Sequence, residues 1–219
     1  MMEIKWLGHA CFLLEADNGM RLITDPYESG AFSGAIGHRP VTERADIVTV
    51  SHYHLDHCHA DDIRGDYKLI DKSGTYNIEG VRIEGVKSWH DNNEGRVRGK
   101  NIIFKISMDN LNVCHFGDLG HILDEKTLDS IRPVDIALIP VGGTFTIDSS
   151  EAVSIINMLD PKVTIPMHFK NDRCRLDIDS EDGFIDMYKN ALRPSGSTFS
   201  IDKESLPDES KTVILQPAL

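Results

Sequence analysis

Residues 51–62 read SHYHLDHCHADD, a stretch that holds four histidines and three aspartates in twelve residues. It follows directly on DIVTV, a β-branched run that is typical of a buried strand. His52 and His54 are two residues apart, so an extended backbone directs both imidazoles to the same side. Open α/β folds bind their ligands at the carboxyl ends of strands. The stretch therefore predicts a functional site at the edge of a sheet.

The residue types in this stretch point to metal binding. Neutral imidazole and carboxylate suit Zn²⁺ and related first-row divalent ions. Asp56 and His57 come after a turn and can face the same region from the other flank, so two ions roughly 3.5–4 Å apart could be held here. A solvated polar loop or a metal-sticky tract is the alternative, but the H-x-H-x-D-H spacing at a strand end favours a built site. Further ligands must come from elsewhere in the chain.

The rest of the sequence predicts a layered α/β fold. EIKWLG, CFLLEA and MRLITD are strand-like, with a hairpin turn at Asn18-Gly19, whereas strands alternate with helices later in the chain. Helices are expected at DEKTLDSI with Asp124 as N-cap, at SSEAVSIINML with Ser149 or Ser150 as N-cap, and at EDGFIDMYKN (181–190). This order predicts sheets inside and helices outside, with 1–219 as a single domain.

Composition excludes several classes of protein. The 219 residues carry a formal net charge of −12, which disfavours a nonspecific binder of nucleic acid or of anionic membranes. The sequence contains no run of roughly 18 apolar residues, and Glu3, Lys5 and His9 interrupt its first stretch, so neither a membrane span nor an export signal is expected. The four cysteines show no CxxC pairing, so reduced thiols in the cytoplasm are expected. The expected partner is a small-molecule substrate, and a homo-oligomer is left open.

The histidine pattern resembles the ligand motif of the metallo-β-lactamase superfamily, which is H-x-H-x-D-H followed by a distant His, an Asp and a last His. The matching residues are His52, His54, Asp56, His57, His90 in KSWHD, Asp118 in HFGDLGH and His168 in IPMHF. The segments WLGHACFLLE, ITDPY and IPVGGTFTID are similar to the small lactonase-like branch, which includes ascorbate-6-phosphate lactonase. The resemblance runs from about residue 3 to 170 and implies a four-layer αββα sandwich.

The resemblance also implies how the residues share two divalent ions. One ion would be held by the residues matching His52, His54 and His90. The other would be held by those matching Asp56, His57 and His168, with Asp118 bridging both. Zinc is the expected metal, with manganese or iron as alternatives.

Other residues are candidates with two open interpretations. His9 could orient substrate or move a proton, and His121 could hydrogen-bond a metal ligand or act as a general acid, so both stand beside Asp56 and Asp118 as catalytic candidates; each could equally be structural. Asp25 could hydrogen-bond a metal ligand or start a turn. Cys58 stands where the family often has glycine, and it is a buried small side chain or an extra ligand. The basic run Lys170, Arg173 and Arg175 could grip an anionic group or form a solvated loop.

The function expected from these residues is metal-dependent hydrolysis, in which a metal-bound hydroxide cleaves a small anionic ester or lactone. Three alternatives stay open: a phosphodiesterase on the same site, a mononuclear iron oxygenase of sulfur compounds, and a non-catalytic metal-binding protein. No G-x-S-x-G motif indicates a serine nucleophile. Histidine at position 54, where a redox di-iron member of the family would carry glutamate, favours hydrolysis.

Overall fold

The computed structural model describes residues 1–188 and 190–219, which fold into two packed β-sheets with few helices. The first sheet consists, in spatial order, of β13 (Thr198–Ile201), β1 (Met2–Gly8), β2 (Cys11–Glu15), β3 (Arg21–Thr24), β4 (Ile47–Thr49) and β5 (Lys68–Ile70). The second consists of β12 (Ala191–Leu192), β14 (Lys211–Val213), β11 (Val163–Met167), β10 (Ile136–Pro140), β9 (Leu111–His115), β8 (Lys100–Met108), β7 (Val81–Trp89) and β6 (Gly74–Ile78). Both sheets mix parallel and antiparallel pairs.

Alternation along the strands builds the core between the sheets. In β1 and β2, Ile4, Trp6 and Phe12 face the second sheet and pack with residues such as Phe104 and Ile106 of β8. The residues between them, such as Leu13, face the opposite side and form a smaller apolar cluster under the loops. A strand buried on both faces must carry apolar residues at nearly every position, which β2 does, whereas β1 has Glu3 and Lys5 on its outer face.

Four helices complete the layers within the described residues. They are α1 (Ala31–Gly34), α2 (Glu125–Ile131), α3 (Ser149–Leu159) and α4 (Asp182–Met187). Four buried side chains of α3, at the helical spacing that the sequence shows, join the large core: Ala152, Ile155, Ile156 and Leu159. The predicted αββα sandwich of the α/β class is therefore confirmed. Among residues 1–188 and 190–219, the layer over the first sheet contains only the single turn α1, in which Phe32 and Ser33 have positive φ angles.

The predicted turn between β2 and β3 and the predicted cap of α2 are confirmed, but the predicted cap of α3 is not. The Asn18-Gly19 turn joins β2 to β3, and Asp124 caps α2 by accepting a hydrogen bond from the Thr127 backbone N–H at 2.8 Å. The predicted caps of α3, Ser149 and Ser150, are wrong. Asp148 is the N-cap instead: its carboxylate accepts from the Glu151 N–H, and the Glu151 side chain accepts from the Asp148 N–H.

The third predicted helix, 181–190, is shorter than expected. It covers Asp182–Met187, and residue 189 of the prediction lies outside the described residues. No helix among residues 1–188 and 190–219 combines the length and the apolar character needed to cross a membrane. That 1–219 forms a single domain stays a prediction.

Candidate metal centre

The candidate centre lies where strands of both sheets end. His52 and His54 follow β4, His90 follows β7, and His168 follows β11. Asp118 lies three residues beyond the end of β9. Strands that are distant in sequence thus deliver their ligand candidates to one edge of the sandwich.

Two glycines let these segments approach one another. A Cβ on Gly120 would lie 2.4 Å from the His90 carbonyl carbon, and a Cβ on Gly142 would lie 2.3 Å from the His168 carbonyl oxygen. Both distances are far inside van der Waals contact, so only glycine permits this backbone packing. His168 itself adopts a φ of 50°, a left-handed conformation that costs a non-glycine residue free energy and that clusters at functional sites.

Asp118 is the point on which the histidines converge. Its Oδ2 atom lies 3.1–3.6 Å from four imidazole Nε2 atoms, those of His52, His57, His90 and His168. The other oxygen, Oδ1, is buried and makes no hydrogen bond with any described residue. Several imidazole nitrogens that gather around one carboxylate are typical of a site in which that carboxylate is a ligand shared by metal ions.

Two groups of donor atoms lie around this carboxylate, and a third set, Asp25, His52 and His57, overlaps both of them. One group comprises His52, His54 and His90, and the other comprises His9, Asp56, His57 and His168. Within each group the candidate donor atoms lie within 4.8 Å of one another. These are the two sets that the sequence resemblance implies, with His9 added to the second. The assignment of each residue as a ligand stays a prediction.

The residues present fit divalent metal ions. His57 Nε2 and Asp118 Oδ1 are buried without a hydrogen bond inside the described chain, and each such atom costs roughly 1–3 kcal/mol unless something satisfies it. Imidazole with carboxylate is the donor set of zinc, manganese and iron sites. A cation that accepts these lone pairs would remove both penalties.

Burial sets the charge of the imidazoles. It lowers the pKa of His52 to about 3, helped by the neighbouring His57, and it lowers the pKa of His9 to about 4, helped by His168. Both rings are therefore neutral at pH 7. Burial alone would also lower the pKa of His57, but the carboxylates of Asp118 and Asp56 raise it well above its usual value.

Asp25 fixes the orientation of His57. The Asp25 carboxylate accepts from the Ser51 backbone N–H at 2.7 Å and lies 2.9 Å from His57 Nδ1. Because an ionised carboxylate only accepts hydrogen bonds, Nδ1 must carry the proton, which leaves Nε2 to face Asp118 and a metal ion. Of the two interpretations of Asp25, the geometry favours the partner of a metal ligand.

His9 lies beneath the centre rather than in an open pocket. It is fully buried, its Nε2 atom lies 3.0 Å from Asp56 Oδ2, and its ring packs 4.2 Å from that of His168. Cys174 Sγ lies 3.7 Å from the other ring nitrogen. The geometry is that of a residue that holds Asp56 in place.

His121 lies outside the centre. Its Nε2 atom accepts from the Trp89 backbone N–H at 3.2 Å, and its Nδ1 atom lies 2.9 Å from the Ile122 carbonyl oxygen. Both nitrogens thus contact backbone, and the ring does not line the cavity at the centre. A catalytic role for His121 stays a prediction that this placement does not support.

A cavity of about 380 Å³ opens over the candidate ligands. Its walls carry the apolar side chains of Phe32, Phe145 and Leu176, and one cation, Arg98. The Arg98 guanidinium lies 5.6 Å from the centre of the Phe145 ring and donates to the Thr144 carbonyl oxygen at 3.0 Å. The cavity thus offers one positive charge among apolar surfaces.

The basic run after His168 does not supply that charge. Neither Lys170, Arg173 nor Arg175 lines the cavity, and the Arg175 guanidinium donates to the Gly34 carbonyl oxygen at 2.9 Å. The sequence analysis missed Arg98, because nothing in GRVRGK distinguishes this arginine from its neighbours. Its position depends on the preceding loop.

Two further residues that sequence reasoning missed shape the centre. The Asp91 carboxylate accepts four backbone N–H bonds, from Asn93, Gly95, Val97 and Arg98, and so folds the loop that carries Arg98. The buried Asn101 side chain accepts from the Asp118 N–H at 3.0 Å. Asn101 could have been noticed in NIIFKIS as a polar residue inside an apolar strand, because buried polar groups are hydrogen-bonded.

Known proteins share this fold and this sequence. Residues 3–168 match the family described as Beta-lactamase superfamily domain. A UPF0173 metal-dependent hydrolase from Carboxydothermus hydrogenoformans is 32% identical over 194 residues, which cover 77% of this chain and 84% of that protein. A second, from Thermococcus kodakarensis, is 28% identical over 242 residues, with 99% and 97% covered.

A solved structure agrees over the same length. A candidate Zn-dependent hydrolase of the metallo-β-lactamase superfamily from Thermotoga maritima superimposes with a TM-score of 0.82 at 35% identity, covering 98% of both chains. The match in fold, in sequence and in the His/Asp cluster at the sheet edge leads to one conclusion. The chain belongs to the metallo-β-lactamase superfamily and is one of its metal-dependent hydrolases.

Proposed function

We propose that this hydrolase cleaves a small, negatively charged ester or lactone with the help of two divalent ions, zinc first among them. The observation that carries the proposal is the position of Asp118, whose Oδ2 atom lies between the two groups of donor atoms. A carboxylate shared by two sets of ligands is the arrangement that two-metal hydrolytic sites use.

Ions bound here would supply Lewis acidity, lowering the pKa of water and offsetting the charge that develops on the cleaved bond. The chain's own residues hold the ligands in position for this chemistry. Asp25 keeps the proton of His57 on Nδ1, His9 contacts Asp56, and Asn101 accepts from the Asp118 backbone.

The cavity supports a small substrate with one anionic group. About 380 Å³ accommodates a small molecule, and Phe32, Phe145 and Leu176 would exclude water from it. Arg98 offers a planar fork of donors that suits a carboxylate or a phosphate. The four cysteines are unpaired, which supports our proposal that the enzyme works in the reducing cytoplasm.

The test combines metal analysis with a substrate panel. Purified protein would be analysed for metal and assayed against γ- and δ-lactones, 4-nitrophenyl esters and bis(4-nitrophenyl) phosphate. We expect two zinc ions per chain and turnover of an anionic ester or lactone that is lost with chelator and restored by zinc. Asp118→Asn should lower kcat/KM more than the roughly 10–100-fold that loss of a ligand's hydrogen-bond partner costs. The exposed Asp61→Asn is the matched control.

Three results would contradict the proposal. Preferential cleavage of the phosphodiester would make the protein a phosphodiesterase. One iron per chain with oxygen-dependent turnover of a sulfur compound would make it an oxygenase. Two bound metals with no turnover of any panel member would favour a metal-binding protein without catalysis.

A further inference from the structure

A second, larger hollow adjoins the metal centre. This hollow, the basic groove, has a volume of about 630 Å³ and is bounded by residues 51–54, residues 71–73 and the paired strands β7 and β8. It shares His54 and Arg98 with the cavity over the ligands, so the two spaces meet at these side chains. A substrate held at the centre could therefore extend into the basic groove.

The pairing of β7 with β8 determines which of their side chains face the basic groove. Trp89 pairs with Lys100, and Lys87 pairs with Ile102, in the antiparallel ladder of β7 and β8. Because side chains alternate between the two faces of a sheet, all four lie on the face that borders the groove. The intervening Ser88 has its hydroxyl group on the other, buried face, where it accepts a hydrogen bond from Asn101.

The basic groove is strongly positive for a chain whose net charge is −12. The charged residues that border it are four cations, Lys72, Lys87, Arg98 and Lys100, and one acid, Asp71. Within the part of the chain that the structure describes, none of the four cations forms an ion pair with a carboxylate. Among the described residues, two lysines and six arginines do form such pairs, for example Lys203 with Asp135 and Arg82 with Glu84. Unpaired like charges gathered at one place are typical of an anion site.

Aromatic rings stand beside these charges. Trp89 is half-buried in the basic groove, and Tyr53 is 67% exposed, with its hydroxyl group donating to Asp71. A large exposed aromatic side chain next to a functional site offers a face for a flat group of a ligand. The groove thus combines a net local charge of about +3 with two aromatic surfaces.

We propose that the basic groove binds the part of the substrate that is not cleaved, and that this part is a planar ring bearing a phosphate group. The proposal rests on the proposed function, since the bond that reacts would lie at the metal centre. A dianionic phosphate offsets the local charge better than a single carboxylate does, and lysines bind phosphate as point charges. Contacts with the part of the substrate that does not react would hold it in place for cleavage.

The test measures binding without turnover. Phenyl phosphate would be titrated into the metal-loaded protein, with calorimetry and the combined fluorescence of Trp89 and the buried Trp6 as readouts. Because the metal ions also attract phosphate, variants must locate the site. Lys87→Gln combined with Lys100→Gln should weaken binding at least about tenfold, since two charge-assisted contacts are lost. Phenol, which has the same ring without the charge, should bind at least about tenfold more weakly than phenyl phosphate.

The matched control removes the same number of positive charges from another part of the surface. Lys126→Gln combined with Lys211→Gln removes two exposed lysines that do not border the groove and should leave the affinity for phenyl phosphate unchanged. An equal loss in both double variants, or no loss in the groove variant, would overturn the proposal. Inorganic phosphate that binds as tightly as phenyl phosphate would overturn the role of the ring.

These outcomes are independent of catalysis. A groove variant that loses affinity while the metal-loaded wild type cleaves no ester or lactone would support the basic groove and contradict the proposed function. Turnover of esters together with an unchanged affinity for phenyl phosphate in the groove variant would support the proposed function and contradict the role of the basic groove.

Discussion

Single residues around the centre act mainly through the ligand candidates that they hold. Asp25 illustrates this, because its carboxylate contacts both the Ser51 backbone and His57 Nδ1 and thereby fixes the ring that faces Asp118. His9 does the same for Asp56 from below. Hydrogen-bond partners of this kind set both the orientation and the basicity of a ligand.

Asp25→Asn should therefore weaken metal binding without removing a predicted ligand. The amide carries no charge, and its single acceptor oxygen cannot serve both the Ser51 N–H and His57 Nδ1, which contact different oxygens of Asp25. We expect the affinity for zinc to fall about 10–100-fold, measured by competition with a chelating dye. Asp61→Asn should bind zinc like the wild type. An unchanged affinity in Asp25→Asn would show that the centre does not depend on this contact.

The N-terminus of α3 is fixed by side-chain hydrogen bonds. The α3 helix begins at a reciprocal cap between Asp148 and Glu151, next to the Gly142-Gly143 loop that packs on His168. The same helix contributes four side chains to the core: Ala152, Ile155, Ile156 and Leu159. Its N-terminus therefore connects the packing of the second sheet with a loop of the metal centre.

Asp148→Ala should destabilise the protein by about 1 kcal/mol, the usual cost of losing an N-cap side chain. Urea denaturation at pH 7 measures the free energy of unfolding. Ser154→Ala, on an exposed position in the middle of the same helix, is the control and should not lower stability. Equal stabilities of wild type and Asp148→Ala would show that the cap contributes nothing.

The same cap makes a prediction about pH. The Glu151 backbone N–H lowers the pKa of Asp148 below its ordinary value. A carboxylate whose pKa is lower in the folded state stabilises the fold above the pKa of the unfolded state, about 3.9, and this stabilisation is lost as pH falls through the folded value. The difference in unfolding free energy between wild type and Asp148→Ala should be equal at pH 7 and 5 and smaller at pH 3. A difference that grows on acidification would contradict this origin.

The sequence predicted the ligand candidates that lie in contiguous motifs, but not the residues whose positions depend on loop folding and strand pairing. H-x-H-x-D-H is a contiguous pattern after a buried strand, so the first four ligand candidates were visible, and the resemblance supplied His90, Asp118 and His168. Arg98 and Asn101 reach the centre through the loop at Asp91 and the register of β7 with β8, which no local pattern encodes. The cap of α3 was misplaced by one or two residues, since Asp, Ser and Ser adjoin at 148–150 and all favour N-caps.

The candidate metal centre draws its side chains from both sheets. Its ligand candidates come from the ends of β4 in the first sheet and of β7, β9 and β11 in the second. A metal ion bound between them would link these strand ends, as an ordinary hydrogen bond cannot do for so many segments at once. An ion that binds the folded chain far better than the unfolded one would couple metal binding to stability.

Metal removal should accordingly lower the melting temperature. A ligand present at about 100 times its dissociation constant adds about 2.7 kcal/mol of stability, and each kcal/mol shifts Tm by about 2–4 °C in a chain of this size. We expect zinc-loaded protein to melt about 5–10 °C above protein treated with chelator, measured by calorimetry. His59→Ala, which lies in the same histidine-rich stretch but outside both donor groups, should show the same shift. Asp118→Asn should show little or none, and a full shift in that variant would mean that the stabilising ion binds elsewhere in the fold.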